Sequence, residues 1–214
     1  MRQLILKISV SVDGFVGTTK GDVRWIFDSM DDAVVQWIVD VVSNADYHLM
    51  GSHTFHDMAS YWPTSTEPFA APMNNIPKIA FSKKGITNIG DPANTTMALK
   101  LKVTSELRRA QGQPLAETPA MASWTNARIE SDLVGTITRL KKESGKPLMA
   151  HGGAGFVQSL IAADLIDEYN LLIHPTALGA GLPLFPPLDK PKDLNLVKTI
   201  TFKTGAVAHT YRPA

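Results

Sequence analysis

Short apolar runs change period several times along the chain, and the changes mark its elements. Residues 4–12, LILKISVSV, alternate loosely and are rich in Ile, Leu and Val, which predicts a strand. Asp13-Gly14 and then Gly17 interrupt it as turn signals. In residues 31–44, DDAVVQWIVDVVSN, the spacing of Val34, Val35, Ile38, Val41 and Val42 predicts an amphipathic helix. Asp31 and Asp32 stand where a helix N-terminus favours negative charge. YHLMG (47–51) predicts a second strand, HTFHDMASYW (53–62) a helix and PKIAFS (77–82) a third strand.

From residue 83 to about 120 the periodicity fades among Pro92, Gly112, Pro114 and Pro119, with VTSELRRAQ (103–111) as a short helix. Order resumes with ASWTNARI (122–129) as a strand. SDLVGTITRLKKES (131–144) follows as a helix, with Ser131 as N-cap, Asp132 in the first turn and Lys141 and Lys142 in the last. Gly145 and Pro147 end it. PLMAH (147–151) predicts a strand, GFVQSLIAADLI (155–166) a helix and EYNLLIHP (168–175) a strand. The segment NLVKTITFKTGAVAHTYRP (195–213) reads as a hairpin turning at Thr204-Gly205. Strands alternating with helices argue an α/β fold with a largely parallel sheet covered on both faces, plus an antiparallel pair at one edge. The expected organisation is one domain over residues 1–214, with an elaborated loop region at about 84–120.

Ligands of such sheets bind where strands end and helices begin. Two junctions have that form, LMGSHTF (49–55) and LMAHGGAGF (148–156). Helix N-termini offer unpaired N–H groups and partial positive charge to a phosphate, and glycine lets it approach the backbone. Either motif alone is equally well a plain turn, since HGGAGF is not the GxGxxG dinucleotide fingerprint. Two together are what the two phosphates of a dinucleotide need.

Composition narrows the remaining classes. A net charge of +1 gives no electrostatic reason to expect a nucleic-acid partner. With no cysteine there is no disulfide frame, thiol nucleophile or thiolate metal site, which suits a reducing cytoplasm. No apolar stretch approaches the roughly 20 residues of a membrane helix. His53, His56 and Asp57 lie close together, but no metal-ligand spacing accompanies them, so no metal is expected. His53 is read as facing a cofactor or solvent, and His151 as touching a phosphate or ending a strand.

The order strand, MG-x-x-T-F, helix, then strand with Ser82, then strand, GG-x-x, helix resembles the dihydrofolate reductase superfamily. Three blocks resemble its branch typified by the RibD C-terminal domain, the riboflavin-pathway reductase: ISVSVDGFVG (8–17), LMGSHTFHDM (49–58) and HGGAGFVQSLIAADLIDEYNLLIHPTALGAGLPLF (151–185). The resemblance spans residues 4–62, 77–82 and 122–212 and leaves 84–120 outside. It implies a three-layer α/β/α fold, NADPH binding, hydride transfer to a small heterocyclic substrate, and a homodimer. Carried over by position, Gly51, Ser52, His53 and Thr54 meet the pyrophosphate and adenosine side, and Ser82 and Lys83 the adenine ribose. Gly152, Gly153, Ala154 and Gly155 cradle the pyrophosphate. Val10 and the loop from Asp13 through Gly14 to Gly17 border the nicotinamide, and GAGLPLF (179–185) the substrate.

Ser52 departs from the pattern, because the family places an arginine there for the 2′-phosphate of NADP. Ser82, Lys83 and Lys84 remain to hold a 2′-phosphate, lysine only as a point charge, so NADPH is the expected cofactor and NADH stays open. A proton that accompanies hydride needs a donor, and Asp13 and Asp31 are the candidates retained from Asp13, Asp28, Asp31 and Asp32. A turn role for Asp13 and a capping role for Asp31 compete with catalysis. The rival functional reading is a non-catalytic nucleotide-binding module of the same fold.

Overall fold

A computed structural model describes residues 1–87, 89 and 119–214 of the chain. The helix expected at 103–111 lies outside the described residues.

The chain opens with β1 (Leu4–Ser11) and β2 (Phe15–Thr18), a 3-10 turn at Arg24–Ser29, then α1 (Asp32–Ser43). It continues through β3 (Tyr47–Gly51), α2 (Ser52–Tyr61), α3 (Ala70–Asn75) and β4 (Lys78–Phe81). Further along the chain come α4 (Pro119–Thr125), β5 (Arg128–Glu130), α5 (Leu133–Lys142), β6 (Leu148–Ala150) and α6 (Ala154–Ala162). The last elements are β7 (Glu168–His174), β8 (Gly181–Pro183), β9 (Leu194–Thr201) and β10 (Val207–Pro213). One sheet runs in the order β5-β4-β3-β6-β1-β7-β10-β9. Its first six strands pair parallel, and β10 pairs antiparallel with both β7 and β9. The α/β class and the mixed sheet with an antiparallel C-terminal pair are as the sequence implies. The β9–β10 turn falls at Gly205, whose φ of +85° only glycine adopts freely.

The period-2 alternation of β1 sets the layers. Leu4, Leu6, Ile8 and Val10 face one side, packed with Ile137 and Leu140 of α5 and Val157, Leu160 and Ile161 of α6. On the other side α1 buries Val34, Ile38 and Val42 against Leu172 and Ala208, with Val35 and Val41 half-buried at its margins. A further cluster joins Phe55 and Ala59 of α2, Met73 of α3 and Trp124 of α4 to Met50 and Ala80.

Three local expectations are corrected. Residues 119–125 form a helix where a strand from 122 is expected, and β5 is only Arg128–Glu130. The helix drives Trp124 inward, where it is fully buried 5.8 Å from Phe55 and its Nε1 donates to Asn74 Oδ1 at 2.9 Å. That tertiary contact outweighs the weak local alternation. The N-cap of α5 is Asp132 and not Ser131, since Oδ1 of Asp132 accepts from the Gly135 N–H at 2.9 Å. Finally, α6 stops at Ala162 and does not run through the following ADLI (163–166). Asp164 turns left-handed (φ +53°) there, and the Leu165 N–H closes on the Leu160 carbonyl.

Candidate functional site

Both strand–glycine–helix junctions open onto one cavity of about 1010 Å³ above the carboxyl ends of β1, β3, β4 and β6. Their helices share an unusual feature. Asp31 caps α1 and Asp132 caps α5, each through a side-chain oxygen accepting a backbone N–H. Neither α2 nor α6 has a side-chain cap; the residues at their N-cap positions are Gly51 and Gly153. Two helix N-termini therefore bring unpartnered first-turn donors to the same space, the arrangement that stabilises anionic oxygens. The two junctions also touch. A Cβ at Gly153 would stand 3.0 Å from Thr54 Oγ1, and one at Gly51 would stand 2.9 Å from Phe156 Cβ. A Cβ at Gly152 or Gly155 would meet nothing within 4 Å. Phe156 stacks on Phe81 at 5.5 Å and separates the two glycine turns from the core.

Of the residues named from the sequence, Gly17, Gly51, Ser52, His53, Thr54, Ser82, Lys83, Gly152, Gly153, Ala154 and Gly155 line this cavity. Ser82 Oγ donates to the Gly85 carbonyl at 2.7 Å, which commits its proton to the loop. Lys83 is an exposed cation at the rim. Val10, Asp13, Gly14 and Asp31 are not among the lining residues. Val10 points away, into the core on the α5 and α6 side of the sheet.

The two candidate proton donors are held by backbone. Asp13 accepts from the Ser11 hydroxyl at 2.6 Å, the Leu178 N–H at 3.0 Å and the Gly179 N–H at 2.7 Å. The Ser11 hydrogen bond, with the two amides behind it, holds its carboxyl below the usual carboxylate range. Its work is to clamp the β1–β2 turn to the loop before β8. The same join is made by the Leu184 N–H donating to the Gly14 carbonyl, and it lets β2 pair with β8. Asp31 accepts from the Val34 N–H at 2.8 Å as the cap of α1.

The structure places other polar groups at the cavity that the sequence reading did not select. Lys7, Ser9, Asp57 and His151 all line it. Lys7 and Ser9 alternate with Leu6, Ile8 and Val10, so they fall on the α1 and α2 side of the sheet. His151 is buried, its Nε2 has no hydrogen-bond partner among the described residues, and burial pushes its pKa well below the ordinary value. It meets His48 edge-on, with ring centroids 4.5 Å apart. His48 donates from Nε2 to the Val42 carbonyl at 2.8 Å, and burial lowers it to about 4. Both rings are therefore neutral at neutral pH. Asp57, one turn into α2, is 8% exposed. A signal for Lys7 existed, since it is the one charge in the apolar run 4–12. That its face opens into a cavity was not local information.

Among the described residues no group of three or more His, Asp or Glu is placed to hold a metal, and no helix is long and apolar enough to cross a membrane.

The mostly parallel mixed sheet with its antiparallel C-terminal pair is a fold of the dihydrofolate reductase-like type. Matching to family models is more specific: the chain belongs to the RibD C-terminal domain family over residues 2–208. The uncharacterised Bacillus subtilis protein YyaP is 27% identical over 210 residues, covering 98% of this chain and 94% of that protein. A pyrimidine reductase-like protein of Corynebacterium diphtheriae superposes with a TM-score of 0.65 at 13% identity, covering 100% of this chain and 92% of that one. The Thermotoga maritima diaminohydroxyphosphoribosylaminopyrimidine deaminase/5-amino-6-(5-phosphoribosylamino)uracil reductase gives 0.60 at 14% identity, over 100% of this chain and 57% of that one. Dihydrofolate reductase of Enterococcus faecalis, solved with NADP(H), gives 0.55 at 12% identity, over 99% and 96%. Family and fold together support a role of reductase type.

Proposed function

We propose that the chain is an NAD(P)H-dependent reductase that transfers hydride to a small heterocyclic substrate, a pterin or ribosylaminopyrimidine-like compound. One observation carries the reading: two uncapped helix N-termini, α2 and α6, meet over one cavity with glycines where phosphate would approach. Gly152 to Gly155 and Ser52 to Thr54 are the residues that would hold the pyrophosphate. A reduced nicotinamide dinucleotide, when bound, supplies the hydride. The protein's part is to hold it, to present the acceptor along β1, and to wall out water with Val16, Val23 and Ile26. The clamp from Asp13 to Leu178 and Gly179 keeps the loop on the nicotinamide side in place.

The arginine that would grip a 2′-phosphate is replaced by Ser52, and Lys83 offers a point charge without a bidentate fork. NADPH is the proposed cofactor, with NADH also accepted. The test is fluorescence titration of both reduced dinucleotides, followed by dinucleotide oxidation across a panel of pterins and aminopyrimidines. Binding with turnover supports the reductase. Binding without turnover on the whole panel supports the nucleotide-binding module, and absence of binding removes both.

A further inference from the structure

Lys7 sits at the middle of β1, half-buried on the floor of the cavity. No hydrogen bond, ion pair or ring contact holds its ammonium among the described residues. By contrast Lys78, the other inward lysine, donates to the Ile76 carbonyl and to Ser123 Oγ and lies over the Trp124 ring. Level with Lys7 on β7 is Asn170, whose amide donates to Glu168 Oε1 at 3.2 Å, and that carboxylate is paired with Arg212. His151 follows β6 and His174 ends β7, and each feels the charge of Lys7. His48 and Lys78 lie beyond on β3 and β4, with His48 level with Lys78 in the β3–β4 register. Asp57 on α2 also lines the cavity, and among the described residues no ion pair joins it to Lys7.

An amine becomes a nucleophile when it is reachable, free of a counter-charge and desolvated. Lys7 meets all three conditions. We propose that Lys7 is a nucleophilic amine that captures small hydroxylated aldehydes or ketones as an imine at the floor of the cleft. Nζ in its free-base form attacks the carbonyl carbon, and the carbonyl oxygen takes up a proton to give a carbinolamine. Loss of one water leaves the C=N bond; hydrolysis reverses it, and no oxidant or reductant is consumed. Ser9, Asp57 and the unpartnered Nε2 of His151 supply hydrogen-bonding partners for the hydroxyls of such a compound. Val23, Ile26 and Met58 add apolar wall to the same cavity.

The expected advantage can be sized. Burial lowers Lys7 to about 8, so at pH 7.5 about a quarter is free amine, against roughly 0.1% for an ordinary lysine. If nucleophilicity falls with basicity as it does for thiolates, with a slope of about 0.4–0.5, roughly a 10- to 25-fold gain remains.

The probe is DL-glyceraldehyde with cyanoborohydride at pH 7.5, and labelled positions are read by peptide mass spectrometry. Lys7 is expected to be labelled at least 10-fold faster than exposed Lys198 or Lys203, with a rate that levels off above about pH 8. Lys7→Arg is expected to lose the fast phase of labelling. Labelling of Lys7 no faster than Lys198, or a rate still rising steeply to pH 10, overturns the assignment. The native chain alone decides it, so a variant that fails to fold does not weaken the test. No dinucleotide enters the assay, so the reductase reading and this one fail separately.

Discussion

Gly152 and Gly153 are adjacent, yet the structure makes them very different sites for substitution. Gly153 has φ +82° and ψ 118°, and a Cβ there would crowd Thr54 Oγ1 at 3.0 Å. A side chain at this position carries backbone strain of about 1–3 kcal/mol before any ligand is considered. Gly153→Val is therefore expected to lose stability and dinucleotide affinity together, which identifies nothing. At Gly152 the φ is not positive and a Cβ would meet no atom within 4 Å. Gly152→Val places its methyl groups in the open cavity, and its effect on stability is expected to stay within about 0.5 kcal/mol. A phosphate lying over the glycine turn would lose its approach to the α6 amides. Each charge-assisted hydrogen bond lost is worth roughly 1.5–3 kcal/mol, so one costs about 10- to 150-fold in affinity and two correspondingly more. Urea denaturation and NADPH fluorescence titration on both variants separate the effects. A Gly152→Val chain of native stability that binds NADPH and NADH as tightly as the native chain would refute the phosphate assignment.

The remaining predictions concern stability and assembly. His48 and His174 are buried and neutral, each lowered by burial from 6.5 to about 4. The unfolded chain takes up these protons below about pH 6.5 and the folded chain only near 4, so stability is lost as pH falls through that window. Each histidine removes roughly 1 kcal/mol between pH 6.5 and 5.5 and about 3 kcal/mol by pH 4; a urea midpoint that is flat from pH 7 to 5 contradicts this. Asp31→Ala removes the cap of α1 and is expected to cost about 0.5–2 kcal/mol while leaving NADPH affinity unchanged, and a large loss of affinity would return Asp31 to the site. The β9 edge exposes Leu196 at 55% and Val197 at 51%, an open apolar edge that is better covered than left in water. A homodimer is the expected state, and light scattering that finds only monomer at micromolar concentration rejects it.

Much of the fold was legible because local rules and tertiary demands coincide in it. The Val34, Ile38 and Val42 stripe of α1 is a 3.6-residue pattern that the core then uses. The runs that became β3, β4, β6 and β7 are apolar because a central parallel strand is buried on both faces. At the two glycine junctions, strand, glycine and helix stand consecutively in the chain, so most of the glycine-turn side of the cavity was readable from order alone.

What escaped the sequence depends on partners far away along it. Residues 119–125 are a helix because Trp124 finds Phe55 and Asn74, 69 and 50 positions earlier. Asp13 is a clamp because the Leu178 and Gly179 amides arrive from 165 and 166 residues later, and no turn rule near Asp13 contains that information. The alternation of β1 by itself determined that Lys7 lies opposite Leu6 and Ile8. Only the tertiary structure decided what lies over that face: α1 covers the end at Ile5, while the cavity opens at Lys7 and leaves its ammonium without a counter-charge among the described residues. Sequence pattern sets which side of an element is apolar; packing decides whether the polar side meets water, a partner or a cleft, because that depends on where other elements end.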